Sequence, residues 1–178
     1  MPLSDPSARL SAGYTLLQLL MAIALLSILA ALALPAFQAL RDRVACDSAR
    51  LHLLSAFASA RSTALSRRQS VSVCASSDGR HCIQDWSAGW MIYLDPDRQG
   101  QPGQQADVLH HQPNTRSSGV RAISSDGRRS LRYAADGRSL GSNLTVTICA
   151  RGRRHGQVIV NNSGRARSVR EADPPPCY

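Results

Sequence analysis

Several constellations in this sequence carry residue types able to do chemistry, and spacing decides what each can do. Gly137-Arg138-Ser139-Leu140-Gly141 has the Gly-x-Ser-x-Gly pattern of a nucleophile elbow. Such an elbow ends a strand and opens a helix, with the acid and then the histidine later in the chain. Here His155 precedes Asp173, and the run Leu144 to Ile148 that follows reads as a strand. A glycine-bounded hairpin loop is the expected role, and no catalytic residue is assigned. His110-His111 sets two metal-ligand types side by side, but neighbours on a strand point to opposite faces and no cysteine or acid stands at ligand spacing. They read as exposed loop-edge histidines, and no metal or other cofactor is expected. Trp86 and Trp90 read as core and loop anchors rather than a base-stacking platform.

Five cysteines, Cys46, Cys74, Cys82, Cys149 and Cys177, include no Cys-x-x-Cys pair and no zinc-like spacing. Disulfides in an oxidising compartment fit them better. Cys74 and Cys82 bracket a short Ser/Asp/Gly loop and are expected to staple it. Cys149, ending a strand, is expected to tether the tail stiffened by Pro174-Pro175-Pro176 through Cys177. Cys46 remains as the odd, half-buried thiol.

The cationic chemistry belongs to arginine alone. All 21 basic residues are arginine against 12 acids, for a net charge of +9. Such a balance suits an anionic partner, nucleic acid or a membrane surface. Between Thr145 and Arg170 there are six arginines and no acid: Arg151, Arg153, Arg154, Arg165, Arg167 and Arg170. The first three are read as one turn, Arg151 to Gly156, and the next two as the start of the last strand after Asn161-Asn162-Ser163-Gly164, with the two turns side by side. Guanidinium forks match phosphate oxygens. The bland alternative is a solvated basic edge that deters sheet aggregation. Asp-Gly-Arg occurs at Asp78 to Arg80, Asp126 to Arg128 and Asp136 to Arg138; these are read as turns, since glycine accepts positive φ, with no recognition role.

These residues need elements to hold them. No charged residue occurs between Arg9 and Arg41, and about 20 apolar residues suffice to cross a bilayer as a helix. The same helix continues to about Ser66, with Phe37, Leu40, Val44, Leu51, Leu54, Ala58 and Leu65 read as its apolar stripe, and with Pro35 expected to kink or loosen it. From Gln69 the period becomes two. Val71 and Val73, Trp90 to Leu94, Val120 to Ile123, Leu131 to Tyr133, Leu144 to Ile148, Val158 to Val160 and Ala166 to Val169 read as strands. Asp95 to Gln105 reads as a long exposed loop. The expected class is α+β: one long helix packed on an antiparallel sheet. Arg41, Arg43 and Arg50 after the apolar segment argue for a cytoplasmic C-terminal side; the cysteines argue for a periplasmic one.

Gly13-Tyr14-Thr15-Leu16, followed by the apolar helix and Pro35, resembles the start of type IV prepilins and type II secretion pseudopilins. The resemblance implies a leader, residues 1–13, cut by a prepilin peptidase between Gly13 and Tyr14, with N-methylation of Tyr14. It further implies a filament-core helix over 14–35 in the inner membrane and a periplasmic pilin domain over 36–178 that reaches the cell surface in a pilus. Pilins that pack along a shaft carry glutamate at the fifth mature residue, where this chain has Gln18. An amide cannot cancel a neighbour's buried amine charge, which implies a place at or near a filament tip. Ala60-Arg61-Ser62-Thr63-Ala64, Val71 to Cys74, Ser77-Asp78-Gly79, Cys82, Trp86-Ser87-Ala88-Gly89-Trp90 and Gly164-Arg165-Ala166-Arg167 resemble the FimT branch of the FimT/GspH minor pilins. The likeness spans most of Gly13 to Arg170 and is weakest over Asp95 to Ser118. It implies that Gly164, Arg165 and Arg167, with Arg151, Arg153, Arg154 and Arg170 around them, bind double-stranded DNA without sequence preference in natural transformation. Other pilins would contact the N-terminal helix. The related GspH branch implies the alternative, a structural minor pilin or pseudopilin that primes assembly.

Overall fold

The computed structural model describes residues 15–114, 119–139 and 141–177. The expected cleavage and methylation positions, Gly13 and Tyr14, lie outside them. Contacts divide the chain into two units, Met1–Leu40 and Arg41–Tyr178. Helix α1, Leu16–Arg67, contributes to both and continues through Pro35. Its apolar N-terminal part is long and apolar enough to cross a membrane. At its start the Thr15 amide donates to Gln18 Oε1 at 3.0 Å and the Gln18 amide donates to Thr15 Oγ1 at 3.4 Å. This reciprocal pair is a capping box that satisfies two of the helix's orphan donors. At the other end Arg68 takes φ 53°, the left-handed turn that stops a helix.

In the second unit α1 buries Cys46, Leu53, Ala56, Phe57, Ala60 and Ala64. The expected stripe is thereby corrected: Val44, Leu51 and Leu65 are exposed, and Cys46, free and 3% exposed, lies on the buried face. The three alanines, each with no side chain beyond Cβ, line the packed side, while Phe57 fills space and meets Trp86 edge-on at 5.3 Å. Burial pushes the Cys46 thiol up to about 11, with Asp42 and Asp47 adding to the effect.

The strands form two antiparallel sheets rather than one. β1 (Val71–Ala75), β2 (Gly89–Leu94), β3 (Val108–Pro113) and β5 (Ser130–Tyr133) make one, in the order β3-β2-β1-β5. β4 (Val120–Ser124), β6 (Leu144–Ala150), β7 (Arg153–Val160) and β8 (Ala166–Arg170) make the other, in the order β4-β6-β7-β8. Val71, Val73, Ile92, Leu131, Val146, Ile148, Val158 and Val160 share one apolar core with α1. On the first sheet, Cys74, Cys82, Met91 and Tyr93 form a second, smaller cluster. Cys74 is bonded to Cys82 and Cys149 to Cys177. The second bond fixes a tail whose Pro175 carbonyl accepts from the Arg154 amide and whose Cys177 amide donates to Gly152.

Two elements differ from the sequence reading. β3 is a strand at the sheet edge that carries His110 and His111, so neither histidine is in a loop. His110 packs its ring against Trp90 at 5.1 Å. β7 begins at Arg153, not Val158, because the hairpin turn is the two-residue Arg151-Gly152, with φ of 49° and 72°. Positive φ at both central residues is the type I′ requirement that matches strand twist. Arg153 and Arg154 are therefore strand residues.

Candidate nucleic-acid interface

β7 separates the two arginine turns. The Arg151-Gly152 turn enters it and the Asn161–Gly164 turn leaves it, so its 8 residues hold them roughly 26 Å apart at about 3.3 Å per residue. The helix gives the same measure: Arg151 reaches Asp42 while the Gly164 end is tied to Arg61, and that stretch of helix rises roughly 28 Å at about 1.5 Å per residue. The expected single basic field is thus two fields at opposite ends of the sheet. Charges that far apart are screened from one another, since the Debye length is about 8 Å at physiological salt.

The two ends also differ in charge. At the first, Arg151 pairs with Asp42 at 2.8 Å, Arg170 with Asp47 at 2.8 Å, Arg154 with Glu171 at 3.1 Å and Arg153 with Asp173 at 3.9 Å. Arg153 Nε also donates to the Pro174 carbonyl at 2.8 Å. Asp42, Glu171 and Asp173 each take one arginine and Asp47 is shared between Arg170 and Arg50, which it meets at 3.0 Å, so most of the positive charge of these four arginines is offset. Exposed pairs of this kind stabilise by only about 0 to 1 kcal/mol, but they do neutralise the surface.

At the second end Arg165 and Arg167 are exposed, and among the described residues neither side chain has an acid partner. Register explains why Arg167 faces outward. Arg167 pairs with Ile159 and Arg170 with Gly156, and Gly156, Val158 and Val160 point into the core. Residues opposite them, Ala166, Ser168 and Arg170, lie on the core side, whereas Arg167 and Val169 lie on the outer side. That alternation sends Arg170 toward the helix acids and leaves Arg167 to solvent.

The turn that carries Arg165 is held firmly. The Gly164 amide donates to the Asn161 carbonyl at 2.8 Å, and Asn161 Oδ1 accepts from Ser163 Oγ and the Arg165 amide. Gly164 takes φ +77° against the backbone of Gly137, where a Cβ would overlap the Gly137 carbonyl oxygen and crowd Arg138 Cα at 3.3 Å. Ser139 completes the latch: its hydroxyl donates to Asn161 at 2.6 Å and its amide to Asn162 at 3.1 Å. The serine of the Gly-x-Ser-x-Gly pattern thus serves as a structural clamp. Arg61 Nε donates to Gly137 at 3.0 Å and so ties both turns to the helix.

This meeting of turns brings in residues that no local pattern marks. Arg138, on the third Asp-Gly-Arg turn, is exposed beside Gly164 with no side-chain partner among the described residues. Arg61 supplies a fourth guanidinium, and Asp136, whose carboxylate accepts the Arg138 amide, is the acid of that same turn. The signal available in the sequence is a second Gly-Arg turn, but nothing local pairs it with the first. Chemically the patch can receive anionic oxygens along an exposed edge. Among the described residues no group of three or more His, Cys, Asp or Glu is positioned to hold a metal.

The family model for the type II transport protein GspH matches residues 51–164. Two crystal forms of the type IV minor pilin FimU from Pseudomonas aeruginosa share the fold. One has a TM-score of 0.59 at 24% identity, covering 74% of this chain and 94% of that one. The other has a TM-score of 0.57 at 23% identity, covering 74% and 99%. Comparison with curated protein sequences finds no match. A long N-terminal helix packed on antiparallel sheets, an apolar helical start and a family match over most of the globular unit agree with one another, and the chain belongs to the GspH family and has the fold of a type IV minor pilin.

Proposed function

We propose that this minor pilin captures double-stranded DNA at the cell surface for natural transformation, through the phosphate backbone and without sequence preference. The observation that carries the reading is the difference between the two ends of β7: Arg165 and Arg167 are exposed and unpaired on a latched turn, while Arg151, Arg153, Arg154 and Arg170 each face an acid. Gly164 sets the turn, Arg165 and Arg167 supply the first phosphate contacts, and Arg138 extends them. The other four arginines contribute less, because their charge is already offset. The GspH match ends at Gly164, so the case for the arginines rests on geometry and charge.

Contacts to phosphate alone give affinities on the order of 10⁻⁴ to 10⁻⁶ M that fall steeply with salt. Weak, sequence-blind binding suits a filament subunit that must accept any DNA and release it. In this reading the leader is removed after Gly13, Tyr14 is methylated, the apolar helix anchors the chain in the inner membrane with its C-terminal unit periplasmic, and the helix then joins other pilins. The alternative is a structural minor pilin or pseudopilin that primes filament assembly. Transformation frequency measured beside piliation in a strain expressing R165Q/R167Q separates the two. The DNA reading expects normal pili and few transformants; normal transformation by a stably expressed variant would leave the structural role.

A further inference from the structure

We propose a second phosphate site on the same duplex track, in the cleft lined by Arg98, Arg128, Arg129 and Arg132. The proposal rests on the DNA reading above and adds a place on the protein to it. The cleft measures about 220 Å³ and has one acid, Asp95, in its lining. That acid is already engaged: it is 3% exposed and accepts from Ser72 Oγ at 2.7 Å and from the Gln99 amide at 2.8 Å. Arg132 is pinned by the Asp95 and Pro96 carbonyls at 2.9 and 3.1 Å, and its Nε stands 3.9 Å from the Asp95 carboxylate. Arg128 Nη1 donates to Gly141 at 3.0 Å, and Arg98 Nη2 lies 3.9 Å from where a Gly141 Cβ would stand. Arg129 is exposed and has no side-chain partner among the described residues. Asp95 offsets Arg132, and the exposed Arg128 and Arg129 bring further positive charge to one small cleft beside Arg98. Like charges gathered this way repel, and an anion with several oxygens relieves the repulsion.

Position makes that anion a DNA phosphate. The Ser139 carbonyl accepts from the Ser142 amide at 3.0 Å, and Ser142 lines the cleft. The same Ser139 donates to Asn161 and Asn162 in the Gly164 turn. Ser125, opening the turn that bears Arg128 and Arg129, donates its amide to Thr145, at the end of the sheet where β7 leads into that turn. Cleft and turn are thus joined through one residue, Ser139.

The test uses the full chain in non-ionic detergent and 30-base-pair duplexes of unrelated sequence, titrated at several salt concentrations. R129Q removes a guanidinium that holds nothing in place, and R128Q/R129Q removes two. R129Q should weaken binding about two- to fivefold and flatten the log-affinity against log-salt slope by about one unit; the double variant should flatten it further. If both variants matched the parent while R165Q/R167Q bound more weakly, the cleft would be rejected and the Gly164 reading kept. If the parent did not bind DNA, both would fall. Weakened binding to phosphatidylglycerol vesicles with DNA binding unchanged would assign the cleft to a lipid headgroup and overturn the proposal.

Discussion

Gly164 and Gly137 meet backbone against backbone, so closely that a Cβ on Gly164 would overlap the Gly137 carbonyl oxygen. Gly164 also sits at φ +77°, which disfavours any side chain. Gly164→Ala should cost about 2 kcal/mol or more, from left-handed strain and from parting two backbones. Gly152 has φ +72° with nothing within 4 Å of its Cβ position, so Gly152→Ala should cost only about 1 kcal/mol. Denaturant midpoints for the two variants check this, and equal losses would mean that the two turns are not docked.

The disulfides close loops of unequal length, with sequence separations of 8 and 28. In the chain-entropy model the longer one stabilises by about 1 kcal/mol more. Thermal unfolding should show C149S/C177S less stable than C74S/C82S. Peptide mapping under non-reducing conditions should recover both pairs and leave Cys46 free, whereas any pair containing Cys46 would contradict the packing of α1.

Cys46 gives a pH signature. Its thiol is raised to about 11 in the folded chain, against roughly 8.5 when unfolded. The fold keeps the neutral form, so this contribution is full below the unfolded value and declines as pH rises toward about 11. The stability difference between the parent and C46A should hold steady from pH 7 to 8 and shift against the parent above about pH 9. A difference that stayed flat to pH 11 would show the thiol to be accessible to water.

Much of this architecture is readable in the chain, and the failures have physical causes. The apolar run, the period-two segments and the glycine turns follow from local preference. The buried face of α1 does not, because leucine spacing points to Leu51 and Leu65 while the packed face is built from Ala56, Ala60 and Ala64, which carry little hydrophobic signal. β3 is hidden because it is an edge strand reading Val-Leu-His-His-Gln-Pro, with little β-propensity in its second half. Arg151-Gly152 lacks the Asn-Gly or Asp-Gly signature, which conceals the start of β7. Arg165 and Arg167 stand out by charge, but Arg138 becomes part of the patch only through an approach of two turns far apart along the chain, which no local pattern encodes.

The N-terminus is open to direct measurement. The reading expects a mature chain that starts at Tyr14, and mass spectrometry of assembled pili should find residues 1–13 absent. Gln18 caps its own helix, but a glutamate would cap equally well, so capping does not account for the amide. Without a charge to offer a neighbouring amine, this subunit should label only at filament ends by immunogold, and Q18E should allow label along the shaft. Even labelling of the parent along the shaft would contradict the tip assignment.

The most direct measurement of the central claim is the salt dependence of duplex binding by the parent, R165Q/R167Q and R151Q/R170Q. The account predicts that R165Q/R167Q binds every sequence more weakly, with a slope flatter by about two units, roughly one for each phosphate that is no longer neutralised. R151Q/R170Q should flatten the slope much less, because those guanidiniums face Asp42 and Asp47 at the far end of β7. A folded R165Q/R167Q that bound DNA with the parent's affinity and slope would contradict it.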